Sequence, residues 1–399
     1  MSNIAIIGGG ASGLMAAIAA AENPSNYVTI YEKGDRVGKK ILATGNGRCN
    51  MTNIYASVEN YYGENPMFIK KAIERFWVDD TLDFFKTLGI IHKIEDKGKV
   101  YPYSDQASAV LDVLRMRLDS LGVVIRTGFE AESVQCKNNG FLIKSYTGET
   151  AYADKVILST GGKAAPNLGS NGSGYEILKK LGHNITKLSP SLVQITTQTD
   201  VVKKLKGIKL NAKMTIGQYC ETGEVLFTDY GLSGPPVFSL TSRLKDHEEV
   251  TLDIMSEYSE DEIAEILRER IGNMPYITLE NFLVGMLNKR VGQALLKSCN
   301  VVPLSRYAYD LSEEEIFKIS KTIKKWSFKI TGTKSWNNAQ VTHGGVRTSE
   351  FDDFTLESKL IPGLYATGEV LDIDGDCGGY NLQWAWTSGY IAGKECSNC

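Results

Sequence analysis

Histidine is scarce in this chain of 399 residues, which has only His92, His183, His247 and His343. Neither a Ser-His-Asp order nor an H-E-x-x-H can be assembled around them, so hydrolase and metalloprotease chemistry have no support. The seven cysteines (Cys49, Cys136, Cys220, Cys299, Cys377, Cys396 and Cys399) are scattered and odd in number, which fits reduced thiols in a cytoplasm better than a disulfide framework. Cys396 and Cys399 make a C-x-x-C outside any βαβ context. A frayed tail is expected there, and no second pair completes a zinc site. Excess positive charge is also missing: the net charge of −3 argues against a large nucleic-acid footprint. No apolar run approaches the length of a membrane span. Ile4 to Ala21 is apolar, but glycines interrupt it and no basic stretch precedes it, so it does not read as a signal peptide. The expectation is a cytoplasmic protein without membrane partners.

What is present begins at once. Ile4 to Ile7 reads as a strand, Gly8-Gly9-Gly10-Ala11-Ser12-Gly13 follows, and an alanine-rich helix runs to Ala21. A second strand, Tyr27 to Tyr31, ends on Glu32. Strand, G-x-G-x-x-G, helix, strand and acid in this register predict a dinucleotide site. The glycines let a pyrophosphate approach a helix N-terminus, where unpaired N–H groups and the helix dipole favour anions. Glu32 is placed to accept hydrogen bonds from a ribose diol.

The chain is too long for one simple core. The pattern predicts an α/β, Rossmann-like domain split in sequence, residues 1–190 with 336–399. Between its parts lie a β-rich segment, 191–255, and a mainly helical one, 256–335, read as a roof over the site. Two more strands end on glycine: Val156 to Ser159 on Thr160-Gly161-Gly162, and Leu364 to Thr367 on Gly368-Glu369. Open parallel sheets bind ligands at the carboxyl ends of their strands. Three such ends predict a ligand longer than a mononucleotide, and FAD fits better than NAD.

Two further stretches carry specific chemistry. Thr44-Gly45-Asn46-Gly47-Arg48-Cys49-Asn50 can press bare backbone against a flat ring or a phosphate, with Lys39, Lys40 and Arg48 supplying charge. Gly378-Gly379-Tyr380-Asn381-Leu382-Gln383 opens a helix whose N-terminus could stabilise negative charge on a reduced flavin. Cys49 has no assigned redox role, since burial is the common fate of a free cysteine. His343, in Thr342-His343-Gly344-Gly345, is the candidate acid or base, a structural histidine being the rival reading. Tyr230, in Phe227 to Gly234, is the second candidate. No metal site is expected.

Gly8 to Gly13, Lys39 to Asn50, Phe227 to Pro235, Thr342 to Val346 and Ala366 to Trp386 together resemble the BaiN-type family of FAD-binding flavoproteins, which includes aminoacetone oxidases and bile-acid-type enone reductases. The resemblance runs nearly the whole length. It implies FAD held through Gly10, Ser12, Gly13, Glu32, Lys33, Lys40, Arg48, Cys49, Asn50, Gly162, Gly368, Glu369, Asn381 and Leu382. The candidate contacts also include Gly8, Ala11, Thr44, Gly47, Ala131, Thr160, Gly161, Asp376, Gly379 and Tyr380. One departure stands out: where the family pattern leads one to expect a histidine in the Phe-Thr-His-x-Gly-Leu-Ser-Gly-Pro segment, this chain has Asp229, and if that histidine touches substrate in relatives, substrate identity does not carry over.

The reading is an FAD-dependent oxidoreductase moving a hydride between a small organic substrate and flavin N5. The first form is a C=C (enone) reductase fed by NAD(P)H, and the alternative an amine oxidase making peroxide. A flavin-dependent RNA-modifying protein is a rival of another class: Lys203, Lys204, Lys206, Lys209, Lys321, Lys324 and Lys325 could form a basic face, though a solvated surface explains them more cheaply. A flavin-binding protein without catalysis is the weakest rival. No second complete dinucleotide motif is present to hold NAD(P)H, and oligomeric state is not legible.

Overall fold

The computed structural model describes residues 2–138, 140–242, 244 and 249–397. Asn139, His247 and Cys399 lie outside them. The chain forms two compact units, one running to Ser191 and resuming at Trp336, the other Leu192–Ser335.

The first unit is built on a parallel sheet. Its strands are β1 (Asn3–Ile7), β2 (Tyr27–Glu32), β3 (Val124–Thr127), β4 (Lys155–Leu158) and β5 (Leu364–Ala366), in the order β5-β4-β1-β2-β3. β1 and β4 read as nearly unbroken apolar runs because both faces of a parallel sheet are covered. β5 enters from the far end of the sequence, setting Ala366 beside Leu158. An antiparallel three-stranded sheet, Ala131–Lys137, Gly140–Ser145 and Thr150–Ala153, feeds into β4.

Two helices anchor the sheet. Helix α1 (Ala11–Ala21) has Ser12 through Ala21 all buried. Helix α2 (Tyr380–Ser397) carries Gly389 and Gly393. A Cβ on Gly389 would stand 2.3 Å from the Ser12 carbonyl oxygen, and one on Gly393 2.4 Å from that of Ala16. The two helices therefore touch backbone to backbone, and only glycine fits at those points. The tail is not frayed as expected: α2 continues to Ser397 with Cys396 buried, because its inner face packs on α1.

Other expectations shift. The sequence predicts one helical segment over about Met67 to Leu88, but the chain breaks it into Pro66–Ile69, Lys70–Ile73 and Val78–Thr87. The Trp77 N–H is held by the Asp80 carboxylate at 2.8 Å, which starts a new helix there. Leu279 to Leu287 likewise reads as an amphipathic helix in the sequence, but the helix stops at Phe282.

Near the surface of this unit, His183 Nδ1 bonds Glu350 Oε2 at 2.8 Å and Nε2 bonds the Ser358 hydroxyl at 3.1 Å. The order resembles a hydrolytic triad, but Ser358 is sealed and its Oγ accepts the Leu360 and Ile361 N–H groups. Its role is structural.

The second unit is a closed six-stranded barrel: Ile195–Thr197, Gly231–Ser233, Tyr219–Phe227, Lys209–Ile216, Glu249–Asp253 and Trp326–Thr333. The last strand falls in the stretch expected to be helical, and alternates buried Trp326, Phe328 and Ile330 with exposed Ser327, Lys329 and Thr331. Helices Glu260–Asn273, Lys289–Ser298 and Glu313–Lys324 share the barrel's hydrophobic core. Reciprocal caps start two of them, Ser259 with Glu262 and Ser312 with Glu315.

Two outcomes follow. Gly389→Ala and Gly393→Ala should each lose about 1–3 kcal/mol in urea unfolding, the usual cost of overpacking. Gly272→Ala, at an exposed helical site where a Cβ meets nothing within 4 Å, should be neutral or gain up to about 1 kcal/mol; equal effects at all three sites would refute the close contact. Glu350 is pushed up by burial, but the bonds from Asn184 and His183 outweigh this and hold it below the usual carboxylate range. A carboxyl lowered in the folded state stabilises fully above its unfolded pKa, and that contribution fades as pH falls through the folded value. Wild type should therefore lose its margin over Glu350→Gln between about pH 5 and pH 3; a margin independent of pH would contradict it.

Candidate dinucleotide site and catalytic dyad

Each glycine of the first loop has its own reason. Gly8 turns at φ +106, and a Cβ there would meet the Ser159 carbonyl oxygen at 2.4 Å. A Cβ on Gly13 would sit 1.9 Å from the Gly8 carbonyl oxygen, so α1 lies against the loop without a side chain between. Gly10 differs from both. Its φ of −81 suits any residue, and a Cβ there meets nothing within 4 Å. No neighbour in the protein requires glycine at this position. Gly10 is also the N-cap of α1 and supplies no side-chain cap, which leaves helix N–H groups for an anion.

Glu32 stands beside this loop. Its Oε2 accepts the Gly9 N–H at 2.8 Å and its Oε1 the Gly34 N–H at 2.7 Å, so the carboxylate is fixed in place with lone pairs to spare. Next to it opens a cleft of about 340 Å³ lined by Glu32, Lys33, Arg36, Lys39, Glu130 and Leu168 among others. Burial lowers the Lys33 pKa. Ala131 follows Glu130 at the head of its strand.

The other strand ends arrive at the same place. Gly8 packs on Ser159 and Thr160. Gly368 turns at φ +71, and a Cβ there would meet Ser12 Oγ at 2.7 Å. Gly161 turns at φ +69, and Gly162 is hemmed in by Thr342 and Glu369. The Glu369 carboxylate is already committed: Lys40 Nζ lies 3.0 Å from Oε2, and the Thr342 N–H donates to Oε1 at 2.8 Å.

The Thr44–Asn50 loop is wound tightly. Gly45, Asn46, Gly47 and Cys49 all have left-handed φ between 56° and 86°, a strained run of the kind that gathers at ligand sites. Thr44 Oγ1 donates to the Ile41 carbonyl. Cys49 is fully buried, and burial pushes its thiol up to about 12, so it stays protonated and inert. The Arg48 guanidinium bonds Glu95 and Asp105 and lies 3.9 Å over the Tyr101 ring, which makes it a brace for the loop. Asn50 is buried, and its Oδ1 has no hydrogen-bond partner, an open acceptor of the kind a ligand N–H would satisfy.

At the start of α2, a Cβ on Gly379 would meet the Thr52 carbonyl oxygen at 2.4 Å, with Asn50 Oδ1 at 3.0 Å. The Asn381 side chain is spent on the preceding turn, bonding Gly375 N and O and the Asp376 carbonyl. Asp376 ties to Tyr62 and Asn60, and the Tyr380 carbonyl to the Tyr61 hydroxyl. Leu382 is half-buried against the core.

His343 Nδ1 bonds Asp374 Oδ1 at 2.8 Å. Asp374 is sealed and its Oδ2 has no partner, whereas the His343 side chain is 27% exposed. Burial raises the pKa of Asp374 and of Asp372. Tyr230 belongs to the other unit, under Lys334 Nζ at 4.4 Å. Asp229 is exposed and paired with Lys206 at 2.7 Å.

Sequence reasoning missed Thr342, whose hydroxyl accepts the Lys163 and Ala164 N–H groups, and the buried network of Thr52, Gln383, Thr81 and Thr387. It also missed Asp374, although three acids at alternate positions, Asp372, Asp374 and Asp376, were a visible signal.

A parallel sheet with a bare helix N-terminus, a fixed acid and an open buried acceptor defines a Rossmann-type dinucleotide enzyme. The model of the HI0933-like protein Rossmann domain matches residues 2–395, and this chain belongs to that family. It is 39% identical to the 3-dehydro-bile acid delta(4,6)-reductase of Clostridium scindens, over 99% of this chain and 98% of the relative. It is 31% identical to the ribosomal RNA dihydrouridine synthase of Escherichia coli, over 98% and 96%. Among solved structures, 3-ketosteroid-delta4-(5alpha)-dehydrogenase from Rhodococcus jostii is similar, with 15% identity, a TM-score of 0.48, and coverage of 100% of this chain and 97% of that one. The chain is an FAD-dependent oxidoreductase.

The residues fit the cofactor. Gly10 is bare where nothing in the protein requires it, and Asn50 Oδ1 is an orphan. Gly10→Ala should fold with unchanged urea midpoint yet purify with at least tenfold less flavin by absorbance. Unchanged flavin content would show that no ligand presses on that position.

Proposed function

We propose that this enzyme reduces a carbon–carbon double bond conjugated to a carbonyl, with NADH or NADPH as electron donor. The observation that carries the reading is the 39% identity, over 99% of the chain, to a protein named as a bile-acid reductase. The dihydrouridine synthases agree in chemistry: the product in their name is a uracil ring saturated at a double bond conjugated to a carbonyl. Saturating such a bond adds the elements of a hydride and a proton; in a simple enone the hydride goes to the β carbon and the proton to the α carbon.

FAD, when bound, supplies the hydride acceptor and donor. The chain does the rest. Gly10 to Gly13 and the N-terminus of α1 would hold its pyrophosphate, Glu32 its adenosine ribose, and Asn50 and the Gly378-Gly379 start of α2 its ring end. His343 is the proton donor to the α carbon. A protonated imidazole there offsets the enolate charge that hydride addition creates.

RNA as substrate is the second reading, favoured by the synthases alone. The basic face that would serve it is partly neutralised: Lys206 pairs with Asp229, and Lys209 with Glu224 at 2.8 Å. A small enone is therefore preferred. No observation favours an amine.

Anaerobic titration tests this. NADH or NADPH should bleach the flavin, and a cyclic enone should restore its absorbance. Restoration by uridine-containing RNA but no enone would move the substrate to the second reading. Bleaching by an amine and not by either nicotinamide would overturn the proposal.

A further inference from the structure

We infer that Asp374 is a positioning residue for His343: it fixes the ring through Nδ1 and keeps the imidazole protonated for donation. This rests on the reading of His343 as proton donor, but the geometry stands apart from it. The 2.8 Å bond joins two short strands distant in sequence, Val341–His343 and Asp374–Gly375. Asp374 is sealed, so its partner at Oδ1 is chosen by the fold and not by solvent exchange. The strand Asp374–Gly375 is itself pinned, pairing with Tyr61–Tyr62. The pairing fixes the backbone from which the buried carboxylate reaches the ring.

The energetics favour a shared proton. An ionised carboxylate buried without compensation is costly, and Oδ2 lacks a partner. The proton on Nδ1 is the compensation available at Oδ1. A protonated ring serves the carboxylate best, and by reciprocity the carboxylate holds the ring in its charged form. Other charges bear on the pair. Asp372 and Glu369 add negative potential at Asp374, Glu64 faces Asp372, and the Tyr175 hydroxyl lies at the Glu369 carbonyl. Lys40 neutralises Glu369, and Arg347 pairs with Glu64. The charge left facing the ring is that of Asp374, whose Oδ2 has no partner, and an adjacent carboxylate favours the protonated imidazole. After donation to the substrate carbon the imidazole is neutral, and solvent returns the proton through the exposed part of the ring.

The test reads the ring directly. In wild-type holoenzyme carrying 15N-labelled histidine, with His343→Gln used to assign the signal, His343 should keep a proton on Nδ1 and titrate at least one unit above the ordinary value of about 6.5. In Asp374→Asn that titration should fall by at least one unit with flavin content unchanged. The basic limb of the pH profile for enone reduction should move down with it, and kcat should drop at least tenfold with KM little altered. The double variant should be no slower than His343→Gln alone. Titration of His343 at its ordinary value in wild type, or the same titration in Asp374→Asn, would overturn the inference whether or not any enone is turned over. If Asp374→Asn does not fold, the wild-type titration decides alone. If His343 titrates as expected but enones are not reduced, the positioning role stands and the proposed reaction falls.

Discussion

The structure depends on two helix backbones being able to touch. α1 follows the first strand and α2 nearly ends the chain, yet Gly389 and Gly393 let α2 settle directly on the carbonyls of Ser12 and Ala16. Ser12 stands at the head of α1, so the same contact places the N-terminal glycine loop beside Thr367 and Gly368. A larger residue at either glycine would part the helices and separate the N-terminal glycine loop from Thr367 and Gly368. The inserted unit between them folds around its own barrel core, which is why the first unit can be completed by sequence from both ends.

Around that contact the protein divides its polar groups into those already satisfied and those left open. Glu369, Arg48, Asn381 and Asp376 are committed to other parts of the chain and hold loops in place. The α1 N-terminus and Asn50 Oδ1 are open. Residues grouped as candidate cofactor contacts therefore separate physically into props and open hydrogen-bonding groups, the N–H donors of α1 and the Asn50 acceptor. The props give the rigidity that binding an extended ligand requires.

Much of this was legible, and the reasons differ from residue to residue. The glycine loop and Glu32 could be read because backbone sterics impose glycine at fixed offsets in any such turn. The FAD-dependent Rossmann class followed from three glycine-ended strands. The helices starting after Ser259 and at Ser312 could be read from their charged amphipathic pattern, and the structure adds their Ser–Glu caps. The barrel's last strand carried a period of two from Trp326 to Thr331, but it begins directly after a lysine-rich helix end that masked it. The His343–Asp374 pair was invisible for a different reason. Nothing local couples the two residues; they meet because separate strands converge. Likewise Gly10 and Gly13 look alike as letters, and only the packing shows that the protein itself demands glycine at Gly13 and not at Gly10.

The central claim is that segments from both ends of the chain grip one cofactor. Hydrogen exchange compared between FAD-loaded and FAD-stripped protein tests it most directly. The account predicts that FAD protects residues 9–14, 45–51, 367–370 and 378–383 together, with the same concentration dependence. Protection confined to the N-terminal stretches, with 367–370 and 378–383 unchanged, would contradict it.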